Sequence, residues 1–226
     1  MSQNMTTPVL FSFPAQARVD RTIPKNKIYE HGPVNTSLRE RFVEQVEQIT
    51  WAYKLAPEMI NLPALPDVPE IEIFDIELKG TALDDEVLRA IDRAIPLPII
   101  FQLHRDQQTR MVAAFKRPSQ VEAGQWVLSD YVTGPWLSDD SEKQFLPMAL
   151  DLQGLYEQLL RSLLPQAARS GESLPEQLER MARLRGRQSE YKKMEARLHK
   201  EKQFNRKVAL NAQMRELKNE IDQLSA

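Results

Sequence analysis

The chain has 226 residues, a formal net charge of −2, 42% hydrophobic residues and no cysteine, which suits one domain of ordinary size with an extension. The missing cysteine excludes disulfides, thiolate zinc sites and cysteine nucleophiles. The small net charge hides an asymmetry: residues 172–226 carry 13 Lys/Arg against 9 Asp/Glu, and the first 171 carry 17 against 23, so an acidic body precedes a basic tail.

Residues 1–34 are punctuated by Pro8, Pro14, Pro24 and Pro33 and are expected to run extended, with Leu10, Phe11 and Phe13 as anchors. Ser37 is placed to cap a helix reaching about Leu55, because Leu38, Phe42, Val46, Ile49 and Tyr53 form one stripe and Pro57 comes shortly after. Three prolines within Leu62–Pro69 read as a stiff connector. The clearest strand is Ile71–Lys79: Phe74, Ile76 and Leu78 alternate onto one face, and Asp75, Glu77 and Lys79 onto the other. Asp84 and Asp85 open a helix with Val87, Leu88, Ile91, Ala94 and Ile95 facing inward, stopped by Pro96 and Pro98. Ile99–His104 and Arg110–Lys116 read as a hairpin, Gln125–Val132 as a further strand and Leu150–Leu164 as a leucine-rich helix.

These elements describe an α+β or small α/β head with a mixed sheet over 35–165, after the extended segment 1–34. A linker over 166–173 leads to a helical arm over 174–226. Ser173 and Glu176 stand at capping-box spacing before and after Pro175, and no later proline occurs. Apolar residues at spacings of three and four, ending in Leu210, Met214, Leu217, Ile221 and Leu224, predict one long coiled-coil helix that pairs with itself or with a partner's helix through that seam. The phase slips between Leu198 and Leu210, which implies a change of pitch or a hinge.

Three clusters bear on chemistry. Asp75, Glu77 and Lys79 resemble the E-x-K half of the PD-(D/E)xK nuclease signature, with Pro66 and Asp67 as a nearby PD dipeptide. There, carboxylates hold Mg²⁺ and a lysine lies near the attacking water. The alternative is the solvent face of an amphipathic edge strand. Lys200, Lys202, Phe204, Arg206 and Lys207 mix cations with an aromatic, as phosphate contact and base stacking require; the alternative is a solvated helix face. His104 beside Arg105 and Asp106 reads as a turn or surface residue, and Trp126, Tyr131 and Trp136 as core or rim aromatics. No phosphate-binding glycine loop, dinucleotide fingerprint or nucleophile elbow occurs. No metal-ligand spacing appears, no cofactor is implied outside the Mg²⁺ of the nuclease alternative, and no segment resembles a signal peptide or a membrane span. A cytoplasmic protein without membrane contact is the expectation.

IEIFDIELKGTALDDEVLRAIDRAIPLPIIF (71–101), MALDLQGLYEQLLRSLLP (148–165) and KEKQFNRKVALNAQMRELKNEIDQL (200–224) together resemble the bacterial domain-of-unknown-function 4391 (DUF4391) family. The resemblance implies companionship with Swi/Snf-type helicases and type III-like DNA methyltransferases in restriction or phage-defence clusters, and it transfers no catalytic residue. The combined expectation is a non-enzymatic assembly subunit of such a DNA-defence system. The alternatives are a Mg²⁺-dependent nuclease and a DNA-binding protein acting through the arm.

Overall fold

Residues 9–119, 121–122 and 125–226 are described in a computed structural model of the chain. They divide between Leu164 and Pro165 into two units. The first opens with β1 (Leu10–Ser12), β2 (Arg18–Thr22), α1 (Lys25–Glu30), α2 (Thr36–Gln45), β3 (Val46–Leu55) and α3 (Pro57–Ile60). It continues with β4 (Ile71–Leu78), α4 (Asp85–Ala94), β5 (Ile99–Arg105), β6 (Gln108–Pro118) and β7 (Trp126–Thr133). Then come β8 (Leu137–Ser138), β9 (Lys143–Phe145) and α5 (Leu152–Ser162). The main sheet runs β2-β3-β4-β5-β6-β7, with β8 also on β6, while β1 and β9 form a separate parallel pair. Only β4 and β5 run parallel within the main sheet, joined across α4; its other pairings are antiparallel. The fold is therefore mixed α/β with a multi-strand mixed sheet. Among the described residues no helix is long and apolar enough to cross a membrane.

Leu10 and Phe11 are buried, but residues 9–34 are not one extended run, since a helical turn at Ala15–Ala17 and α1 interrupt it; residues 1–8 of the expected segment lie outside the described residues. The larger departure is at 46–55. Asn35, not Ser37, caps α2, its Oδ1 accepting from the Leu38 amide at 2.9 Å, and the helix ends at Gln45. Strand β3 begins directly after it, held between β2 and β4. Two register slips against β4, between Val46 and Gln48 and between Trp51 and Tyr53, rephase its burial so that Val46, Ile49, Ala52 and Leu55 are the buried positions. A bulged strand that buries every third residue gives the same pattern as a helical stripe. The β-branched and aromatic residues Val46, Ile49, Thr50, Trp51 and Tyr53 favour the strand once neighbouring strands are available.

Strand β4 lies inside the sheet, between β3 and β5, not at an edge. Phe74 and Ile76 pack into a core with Val87, Leu88 and Ile91 of α4 and Phe101 of β5. Each such aliphatic or aromatic side chain contributes about 1.5–3 kcal/mol when fully removed from water. Helix α4 begins where its sequence dictates: the Asp84 carboxylate accepts from the Glu86 amide, and Asp85 and Glu86 occupy the first turn. Gln45 accepts from the Asp84 amide and Arg41 pairs with its carboxylate at 2.9 Å, fastening α2 to this end of α4. Between β5 and β6 the chain reverses through Asp106 and Gln107, both with positive φ (46° and 59°), the geometry of a two-residue type I′ hairpin.

Helix α5 packs on β6. A register slip between Ala114 and Lys116 leaves main-chain groups without ladder partners. The buried Tyr156 hydroxyl takes up two of them, donating to the Ala114 carbonyl at 2.7 Å and accepting from the Lys116 amide at 3.0 Å. Ser129 Oγ accepts from the Phe115 amide at 2.9 Å. A bulge inside a sheet is tolerated when its freed groups find such partners.

The second unit contains α6 (Leu174–Lys200) and α7 (Phe204–Ser225). The predicted capping box is present, with Glu176 accepting from the Ser173 amide at 2.8 Å. The single long helix is not. The chain breaks at 201–203, in the stretch where the seam loses phase, and α7 folds back antiparallel on α6. Arg187 meets Glu220 at 2.7 Å, and Arg180 Nη1 donates to the Leu224 carbonyl at 3.1 Å. Met214 and Leu217 are buried, and Leu210, Ile221 and Leu224 are half-buried. The stretch before α6 is tied down as well: Arg180 forks onto Glu172 at 2.6 and 2.7 Å and donates to the Ala167 carbonyl at 3.1 Å. These bonds hold the Glu172 carboxyl at about 2.

Candidate functional site

Asp75 and Glu77 alternate with Phe74, Ile76 and Leu78, which pack in or against the α4-side core, so both carboxylates lie on the opposite face of β4. The pairing registers set Asp75 against Gln102 and Glu77 against His104 of β5, and His104 against Thr109 of β6. Side chains from three strands thereby form a polar row. Gln102 Nε2 donates to Asp75 Oδ1 at 2.8 Å. His104 Nε2 lies 3.2 Å from the same oxygen, off the axis of a straight hydrogen bond. On its other side Nδ1 lies 2.9 Å from Thr109 Oγ1, and the Thr109 hydroxyl donates to Asp139 Oδ1 at 2.6 Å. Burial disfavours the imidazolium, but Asp75 first, then the charges of Glu77 and Asp139, outweigh it and raise the pKa of His104. His104 is thus a half-buried link in this row and not a free turn residue. Its parity with Ile100 and Gln102 along the strand was the available signal.

Lys79 lies just past the end of β4. Its ion pair among the described residues is with Glu47 at 3.6 Å, not with Asp75 or Glu77. On the β3 side the residues opposite Asp75 and Glu77 are Thr50 and Gln48, so that strand adds no acid to the pair. Among the described residues no group of three or more carboxylate or imidazole side chains is placed to hold a metal ion. Asp75 is engaged by Gln102 and His104, and Lys79 is turned to Glu47, so these residues do not fit the Mg²⁺ site of the nuclease reading. Pro66 and Asp67 lie in the short bridge Leu65–Val68, outside the named strands.

The basic cluster lies where the helical hairpin reverses. Lys200 ends α6, Lys202 lies in the break, and Phe204, Arg206 and Lys207 occupy the first turn of α7. Phe204 is 77% exposed, and the four cations are exposed as well. The acid among them, Glu201, turns its carboxylate to the chain: Oε1 accepts from the amides of Lys202 and Gln203, both at 2.8 Å. Those amide bonds, the one from Gln203 first, hold its pKa below the usual carboxylate range. Its Oε2 lies 3.9 Å from Arg206 Nη1, a loose pair that offsets part of the charge, and the turn still gathers four cations against this one acid around one exposed ring. The seam residues Leu210, Met214, Leu217, Ile221 and Leu224 lie beyond this tip on α7, each buried or half-buried.

No curated protein matches this chain, and no solved structure matches it. A family model described as a domain of unknown function, DUF4391, matches residues 11–221, and the chain belongs to that family.

Proposed function

We propose that this protein is a non-enzymatic nucleic-acid-binding accessory subunit that grips a phosphate backbone with the tip of its helical hairpin. It would act beside the helicase or methyltransferase that the family resemblance implies in a DNA-defence setting. The observation that carries this reading is the exposed Phe204 ring among Lys200, Lys202, Arg206 and Lys207 at the chain reversal. Cations in such an array release counterions from a polyanion, and an exposed aromatic stacks on any base. In this reading the apolar seam acts within the chain, as a short antiparallel coiled coil that holds the tip in place, and not as the docking surface for a partner helix.

The test is fluorescence anisotropy of a short labelled duplex and single strand across a salt series. The full chain should bind both with a steep dependence of log K on log[salt]. Lys202→Gln/Arg206→Gln/Lys207→Gln should lower the magnitude of that slope by about 2–3 for duplex and weaken binding at every salt. Phe204→Ala should cost about 1–3 kcal/mol on the single strand alone. Absent binding, or a slope unmoved by the triple variant, would overturn the reading.

A further inference from the structure

A second feature of the first unit is unrelated to the hairpin tip. Parallel strands β4 and β5 end at Leu78 and Arg105, and the chain leaving β4 passes through Thr81–Leu83 into α4. Just beyond those carboxyl ends, on the α4 side of the sheet, lies a cavity of about 210 Å³ whose walls include Thr81, Asp85, Arg110, Thr133 and Trp136. The crevice outside the carboxyl ends of parallel strands is where open α/β sheets hold ligands. Two guanidinium groups stack on the Trp136 indole of this wall: Arg110, itself on the wall, at 4.6 Å from the ring centre, and Arg105, outside the lining, at 4.3 Å. Arg105 donates to the Thr81 carbonyl at 3.0 Å, but its buried Nε has no partner. The Arg110 side chain makes neither an ion pair nor a hydrogen bond with any described residue, and its Nε is buried too.

Two like charges held against one ring, with buried donors left over, are costly unless an anion completes them. Burial first, then the charge of Arg105, depress the pKa of Arg110, as expected of a cation lacking a counter-charge. The cavity is too small for a drug-sized or dinucleotide ligand and large enough for a tetrahedral oxyanion. Asp85, also on the wall, is an acceptor when ionised, and an oxyanion that keeps one O–H satisfies it as well as Arg110. The geometry points to a binding site for hydrogen phosphate or a phosphate monoester, with Arg110 as the principal donor and Asp85 accepting the remaining phosphate O–H. Sulfate has the same shape and no such proton.

The experiment is isothermal titration of the full chain with inorganic phosphate and, separately, with sulfate at matched ionic strength and neutral pH. Phosphate should bind saturably, and sulfate about tenfold or more weakly. Arg110→Gln should lose phosphate binding, while Asp85→Asn should narrow the gap between the two anions. Where Arg110→Gln does not fold, Arg110→Lys, which keeps the charge and loses the planar fork, should bind several-fold more weakly. Competition by a 5′-phosphorylated oligonucleotide, but not by its unphosphorylated form, would make the source a strand end; no competition would make it a free small anion. No saturable phosphate response, equal affinity for sulfate, or unchanged binding in the Arg110 variants would overturn the assignment.

Discussion

Glu72 shows how far a single side chain can be driven from its behaviour in water. It is 3% exposed and accepts a hydrogen bond from Trp51 Nε1. Burial first, then the neighbouring charge of Glu70, push its carboxyl up to about 8 from an ordinary 4.5, against the smaller opposing effects of the Trp51 bond and Lys54. The folded state therefore favours the protonated form. Its contribution to stability is fully present below about pH 4.5 and is lost as pH rises through about 8. Glu72→Gln keeps an oxygen for Trp51 and cannot ionise. It should match the wild type near pH 5 and exceed it by on the order of 1–3 kcal/mol near pH 9. Urea denaturation at the two pH values measures this, and a difference that does not grow with pH would show that the carboxyl ionises freely in place.

At the level of elements, α4 is joined to β6 by a polar contact inside the core. Lys116, 2% exposed, reaches the Asp92 carboxylate at 3.4 Å and the Asp92 and Ile95 main-chain carbonyls. Tyr131 donates to the same carboxylate. Lys116→Met removes the cation and leaves Asp92 buried without its counter-charge, which should cost about 3 kcal/mol in chemical denaturation. Adding Asp92→Asn should restore much of that loss. The sequence marked α4, β4 and the β5–β6 hairpin clearly, because proline stops, an acidic first turn and strict alternation all act locally. It misplaced β3 because bulges, which depend on a neighbouring strand, changed the burial period from two to three. The polar row from Asp75 to Asp139 and the Arg105–Arg110–Trp136 stack were illegible for the same reason. Their members are brought together by strand register, and no spacing along one segment encodes that.

For the molecule as a whole, the apolar seam decides what the C-terminal residues do. Its phase slip was legible as a hinge, but a slip alone does not say whether the second helix continues outward or turns back. The antiparallel hairpin ties the buried Met214 and Leu217 to pairing within one chain. Leu217→Asp should therefore reduce the helical circular-dichroism signal and weaken the proposed DNA binding, with the mass by light scattering unchanged. A fall in mass would instead show that the seam holds two chains together. The turn that joins α6 to α7 is only three residues, 201–203. So short a tether gives the two helices an effective concentration of millimolar order or higher, set by geometry and not by how much protein is present. Dilution does not open such a hairpin, and a competing helix would displace α7 only by exceeding that local concentration.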